Sequence, residues 1–193
     1  MTAGVDTEAG LRAVILVEGV SDQLAVQHLA LRLGRDLAGE GVAVIAMQGA
    51  TNIAKHLRRY GPDGLGLRMA GLCDAGEAGF VGRALHRAGI CPDASVAAME
   101  AHGFFVCTRD LEDELIRAVG IGGVERVIQA QGEIRSLRTL QRQPAQRSRS
   151  AVDQLRRFMG GRSGNKHRYA RLLVEALDLG RIPRPLERVL DRV

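Results

Sequence analysis

Buried-strand patterns dominate the first half of the chain. Ala13-Val14-Ile15-Leu16-Val17 is an unbroken apolar run rich in β-branched residues, the pattern of a strand covered on both faces. A Gly turn follows. Ser21 or Asp22 is then the expected N-cap of a helix whose apolar stripe is Leu24, Ala25, Leu29, Ala30 and Leu33, with Gly34 as its stop. Val42 to Met47 repeats the strand signal, and Thr51 is the expected cap of a second helix, Asn52 to Tyr60. A weaker strand, Leu67 to Cys73, precedes a helix over 77–88. After Pro92, a helix over 94–102 leads into Phe104-Phe105-Val106-Cys107. Strands alternating with helices predict βαβ units. The expected fold is α/β, with a mainly parallel sheet of about four strands and helices on both faces.

From Leu115 onward the strand signal disappears. Apolar residues recur at helical spacing over 115–131, 152–159 and 169–177. Between them Arg135 to Ser150, rich in Gln, Arg and Ser, reads as an exposed, mobile connection. No internal repeat and no heptad pattern is visible. This predicts an α/β domain over 1–115 and a basic helical extension over 116–193 packing on it.

Composition narrows the class. With 193 residues, 25% charged and 46% apolar, the chain has ordinary globular usage and length enough for one α/β core. It has no run of about 18 apolar residues, so no membrane span is expected. Met1 to Gly10 is acidic and lacks a charged-then-apolar leader, which makes the cytoplasm the expected location. Cys73, Cys91 and Cys107 have no CxxC spacing. Cys73 and Cys107 lie in apolar runs and read as reduced core thiols rather than zinc ligands.

The net charge of +5 is unevenly placed. Residues 1–115 hold 10 Lys and Arg against 15 Asp and Glu; residues 116–193 hold 17 against 7. An acidic front joined to a basic back suits a metal-dependent enzyme acting on a polyanion. Arginines coating solvated helices are the alternative. Aromatic residues make up only 3% of the chain, which gives little support to a base-stacking platform and points to contact with a duplex backbone.

The acids at the strand ends carry the candidate chemistry. In an open parallel sheet, ligands gather at the carboxyl ends of the strands. The first strand ends in Glu18 with Asp22 one turn on; the third ends in Asp74-Ala75-Gly76-Glu77; the fourth runs into Asp110-Leu111-Glu112-Asp113-Glu114. Each acid alone has a structural explanation: an N-cap, a macrodipole partner or a solvated first turn. Jointly they would repel one another unless a cation neutralised them. Oxygen ligands with no His or Cys nearby favour Mg²⁺ or Mn²⁺.

These residues resemble the TOPRIM domain of topoisomerases, primases and overcoming-lysogenization-defect (OLD) nucleases, with the OLD branch nearest. The matching features are an apolar strand, Glu18-Gly19, then Ser21-Asp22; Asp74 closing a later strand; Asp110-Leu111-Glu112 after an apolar strand; and Lys166 ahead of a C-terminal helix. The likeness runs from about residue 12 to 177. It implies a two-metal nuclease or nucleotidyl-transfer enzyme acting on nucleic acid, DNA above all. Glu18 and Asp22 would hold one Mg²⁺ (or Mn²⁺), and Asp74, Glu112 and Glu77 would help hold a second. Glu18, Asp74 and Lys166 would be the catalytic groups, and Arg156, Arg157, Arg162 and Arg168 would hold flanking phosphates.

Two departures qualify the resemblance. TOPRIM domains usually carry Asp-x-Asp at the third strand end, and here Gly76 occupies the second acid position. OLD nucleases join TOPRIM to an ATPase, whereas this sequence has no GxxxxGK[ST] loop, which leaves two expectations: an ATPase subunit on another chain, or independent action. A catalytically impaired module that binds nucleic acid or that ATPase is the alternative function. A Rossmann nucleotide binder fits poorly, since no GxGxxG follows the first strand and an acid sits where phosphate should approach. Nothing in the sequence indicates the oligomeric state.

Overall fold

The computed structural model of the protein describes residues 10–161 and 164–193. Four strands, β1 (Ala13–Val17), β2 (Val42–Ala46), β3 (Arg68–Asp74) and β4 (Phe104–Cys107), form one sheet. Every pairing is parallel and the order is β2-β1-β3-β4. The chain leaves β1 for β2 on one side and then crosses back to β3 on the other. The topological switch point therefore lies between β1 and β3, at the strand ends that carry Glu18 and Asp74. In such sheets this crevice is where ligands sit.

The apolar runs are explained by burial on both faces. Ala13, Ile15 and Val17 point into one core, and Val14 and Leu16 into the other. Gly71 of β3 is required by the packing, because a Cβ there would lie 2.7 Å from the Phe104 ring. One face is covered by α2 (Ile53–Tyr60), α3 (Ala78–Arg87) and α4 (Val96–Ala101). The other face packs against α1 (Val20–Arg32), α5 (Leu111–Val119), α6 (Ile121–Ala130), α9 (Ala151–Gly160), α10 (Asn165–Glu175) and α11 (Arg184–Asp191). Leu155, Met159, Tyr169, Leu173 and Val174 share a core with Ile15 and Val17 of β1. The expected boundary at residue 115 falls inside α5. Among the described residues no helix is long and apolar enough to cross a membrane.

Three local expectations are corrected. Helix α1 starts directly after Gly19, so Asp22 stands in its first turn and accepts the Gly19 N–H at 2.9 Å instead of serving as the N-cap. Thr51 lies in a 3₁₀ turn, Ala50–Asn52, which forms the entry to α2. Residues 135–150 are not an open connection. They form most of α7 (Ile134–Arg142) and all of α8 (Pro144–Arg147). Leu137 is fully buried and anchors α7 in the main core, and Pro144 opens α8 at the position where its missing N–H does no harm. The helical span over 115–131 is also divided, by Gly120 at φ +75°.

Candidate metal centre

At the carboxyl ends of β1, β3 and β4 lies a pocket of about 100 Å³, into which Glu18, Asp22, Asp74, Asp110, Glu112 and Lys166 project. Its floor is apolar, with Leu115, Met159 and Leu173 beneath the acids. Each polar group is placed by a different element. Glu18 is the residue after β1, Asp74 is the last residue of β3, and Lys166 stands in the first turn of α10. Asp110 is the N-cap of α5 and accepts the Asp113 N–H at 2.9 Å, while Glu112 stands in the first turn of that helix. Backbone bonds hold the rims: Gly49 N–H to the Glu18 carbonyl at 3.1 Å, and Ala75 N–H to the Arg109 carbonyl at 3.2 Å.

Burial and mutual repulsion set the charge state of the pocket. Burial, reinforced by Glu18, Asp110 and Asp22, pushes Asp74 up to about 7, with Lys166 as the opposing influence. Burial also raises Asp22, against the Gly19 N–H and Lys166, and raises Glu112, against Lys166 and Arg156. Asp110 goes the other way. Burial would raise it, but the Arg156 guanidinium grips both carboxylate oxygens and the Asp113 N–H adds a third bond, so it is held below its usual range. The neighbouring thiol Cys73 is pushed up to about 12 by burial and then by Asp74, Glu18 and Glu77.

Two carboxylate oxygens, Glu18 Oε2 and Glu112 Oε1, are buried with no hydrogen-bond partner. Leaving such an atom unsatisfied costs about 1–3 kcal/mol. The donor set is all carboxylate, and a hard divalent cation is the group that satisfies it. Among the described residues, however, no three Asp, Glu, His or Cys side chains stand close enough to hold a cation as arranged. The acids thus line one pocket without meeting at one point.

The sequence-predicted residues divide accordingly. Glu18, Asp22, Asp74, Glu112 and Lys166 share the pocket, and Lys166 Nζ lies 3.9 Å from Glu112. Glu77 does not line it. That residue is the N-cap of α3, which packs on the opposite face of the sheet. A Cβ added at Gly76 meets nothing within 4 Å, so the second acid of the Asp-x-Asp pattern is missing through sequence and not through lack of room. Arg156 is engaged with Asp110, and Arg168 with Glu133 at 2.7 Å. Arg157 is exposed, and Arg162 lies outside the described residues. Asp110 also lines the pocket; the sequence places it among the strand-end acids and in the Asp-Leu-Glu match but not among the expected ligands.

Residues 11–75 match the family model described as overcoming lysogenization defect protein-like, TOPRIM domain. Among solved structures, the C-terminal region of the Xanthomonas campestris pv. campestris OLD protein is similar, with 25% identity and a TM-score of 0.76 over 95% of this chain and 92% of that one. The C-terminal region of the Burkholderia pseudomallei OLD protein shares 21% identity with a TM-score of 0.67, over 94% of this chain and 96% of that one. No curated protein matches the chain.

Proposed function

We propose, from the premise that this chain carries an OLD-like TOPRIM domain, that it is a Mg²⁺- or Mn²⁺-dependent nuclease acting on the backbone of DNA. The observation that carries this reading is the pair of unsatisfied buried oxygens on Glu18 and Glu112, in a pocket shared with Asp22, Asp74 and Lys166. Glu18 and Asp22 would hold one cation, and Asp74 with Glu112 a second, with Asp110 at the same rim. When bound, such a pair supplies an activated water and neutralises the leaving oxygen. Lys166, 56% exposed at the mouth, meets the negative charge of the phosphate. Arg156 fixes the Asp110 carboxylate, and the apolar floor excludes water from below. An ATPase is the partner that the OLD-type arrangement implies.

The test is nicking of supercoiled plasmid by the purified protein with Mg²⁺ or Mn²⁺. Glu18→Ala and Asp74→Ala should each abolish nicking, and activity surviving both substitutions would overturn the role given to these carboxylates. A second reading, a binding module without hydrolysis, is favoured by Gly76 and by the spread of the acids. Calorimetry separates the two. Salt-sensitive DNA binding without divalent-cation uptake at millimolar concentration would support the second reading.

A further inference from the structure

Five arginines of the helical region are tied to carboxylates of the protein itself. Arg117 bridges Asp113 and Glu114, Arg138 pairs with Glu125, Arg156 with Asp110, Arg168 with Glu133, and Arg184 with Glu100. A guanidinium already satisfied by a carboxylate is a poor phosphate ligand, since binding would first have to break that pair. Arg135 and Arg157 are not among these five, and they line one hollow together. Among the described residues neither has a carboxylate partner, and both are exposed.

Between α7, α9 and α10 lies a depression of about 460 Å³ into which both arginines project, together with Ser136, Gln143 and Asn165. Among the described residues no carboxylate lines it. The surface hollow beside α1 and α10, by contrast, contains the His28–Glu175 pair. Two unpaired guanidiniums with neutral hydrogen-bonding side chains around them make a site for a phosphodiester group.

The position of this depression ties it to the metal pocket. Phe158 lines the depression and its neighbour Met159 lines the metal pocket; Asn165 and Lys166 divide in the same way. Between the two concavities stands one aromatic pair, Phe158 edge-on to Tyr169 with centroids 6.2 Å apart. A polyanion whose scissile phosphate sits at Lys166 therefore has its flanking backbone within the field of Arg135 and Arg157.

We infer that the concavity between α7, α9 and α10 binds a flanking backbone phosphate of the nucleic acid through Arg135 and Arg157, across the Phe158–Tyr169 pair from the metal pocket. This rests on the nuclease reading for its geometry but is measurable without catalysis. Arg135→Ala/Arg157→Ala and the charge-keeping Arg135→Lys/Arg157→Lys would be compared with the unmodified protein by fluorescence anisotropy. The probe is a labelled DNA duplex, titrated across salt with no divalent cation added, and thermal melts report the folding of each variant. Two lost phosphate contacts should weaken binding on the order of 10-fold and shallow the log K against log salt slope by about 2. The lysine pair should keep most of the slope. An alanine pair that melts normally and binds with unchanged affinity and slope overturns the inference, as does an unmodified protein that does not bind the duplex. Arginine-dependent binding by a protein that never nicks plasmid with Mg²⁺ would defeat the nuclease reading alone.

Discussion

Asp74 is where acids on adjacent strand ends conflict most. Its folded-state value is about 7 against an ordinary 3.8, first through burial and then through Glu18, Asp110 and Asp22. Between those two values the folded chain holds a proton that the unfolded chain has released. The contribution of Asp74 to stability without cation should therefore fall as pH rises from about 4 to about 7 and level off above that. A divalent cation that binds only the folded state acts in the opposite direction and gains strength as Asp74 ionises. Thermal melts at pH 5 and pH 8, with and without Mn²⁺, should show the larger cation-induced rise at pH 8. Asp74→Asn should melt higher than the unmodified protein at pH 8 without cation and lose most of the rise with it. An Asn variant that melts lower at pH 8, or one that keeps the full cation effect, would mean the carboxylate is not the repelled, cation-seeking group. Asp22, also raised by burial, adds to the same slope.

At the scale of elements, α7 is the case where a polar composition masked a helical pattern. Its sequence, Ile-Arg-Ser-Leu-Arg-Thr-Leu-Gln-Arg, has three apolar residues among polar ones, and only Leu137 is buried. Ile134, Leu137 and Leu140 recur at helical spacing within this Arg- and Gln-rich stretch, and Leu137 with the half-buried Ile134 reaches a core built by distant strands. Leu137→Ala should destabilise the protein by about 2–5 kcal/mol, as for other fully buried leucines. Amide exchange should show α7 protected; a loss within about 1 kcal/mol together with fast exchange would restore the reading of a loose connection. The four strands were legible for the opposite reason. A strand buried on both faces writes its whole length as apolar residues, as Val14, Ile15 and Leu16 do. The site lay between these extremes. Glu18, Asp22, Asp74 and Glu112 followed from strand ends, whereas Asp110, in the same acidic run, is both the cap of α5 and a pocket residue. Glu77 sits only three residues past Asp74, yet the 3₁₀ turn between them sends the chain to the other face of the sheet. The pairing of Arg156 and Arg168 with acids far away in sequence could not be read from charge counts.

For the molecule as a whole, the question is whether the first 115 residues can stand alone. The main core argues that they cannot. Leu137, Leu155, Met159, Tyr169, Leu173 and Val174, each at most 1% exposed, come from beyond residue 115 and pack with Ile15, Val17 and Leu29. At about 1.5–3 kcal/mol per buried side chain, these six contribute roughly 9–18 kcal/mol, as much as the whole net stability of a typical domain. Polar ties cross the same seam. Arg32 donates to the carbonyls of Val174 at 2.6 Å and Leu177 at 2.8 Å, and Arg35 donates to those of Leu190 at 2.5 Å and Val193 at 3.1 Å. Cutting the chain after residue 115 would also split α5 within the segment that begins with Asp110 and Glu112, so the metal pocket would lose its third wall and Lys166 together. A chain ending at residue 115 should therefore show no cooperative thermal transition and should expose apolar surface to a hydrophobic dye, while the full chain melts in one step. Adding residues 116–193 as a separate polypeptide should restore a transition if the two halves meet through this core. A truncated chain that melts cooperatively on its own would show that the α/β unit is complete without its helical partner, and the helices would then be an addition to a finished fold.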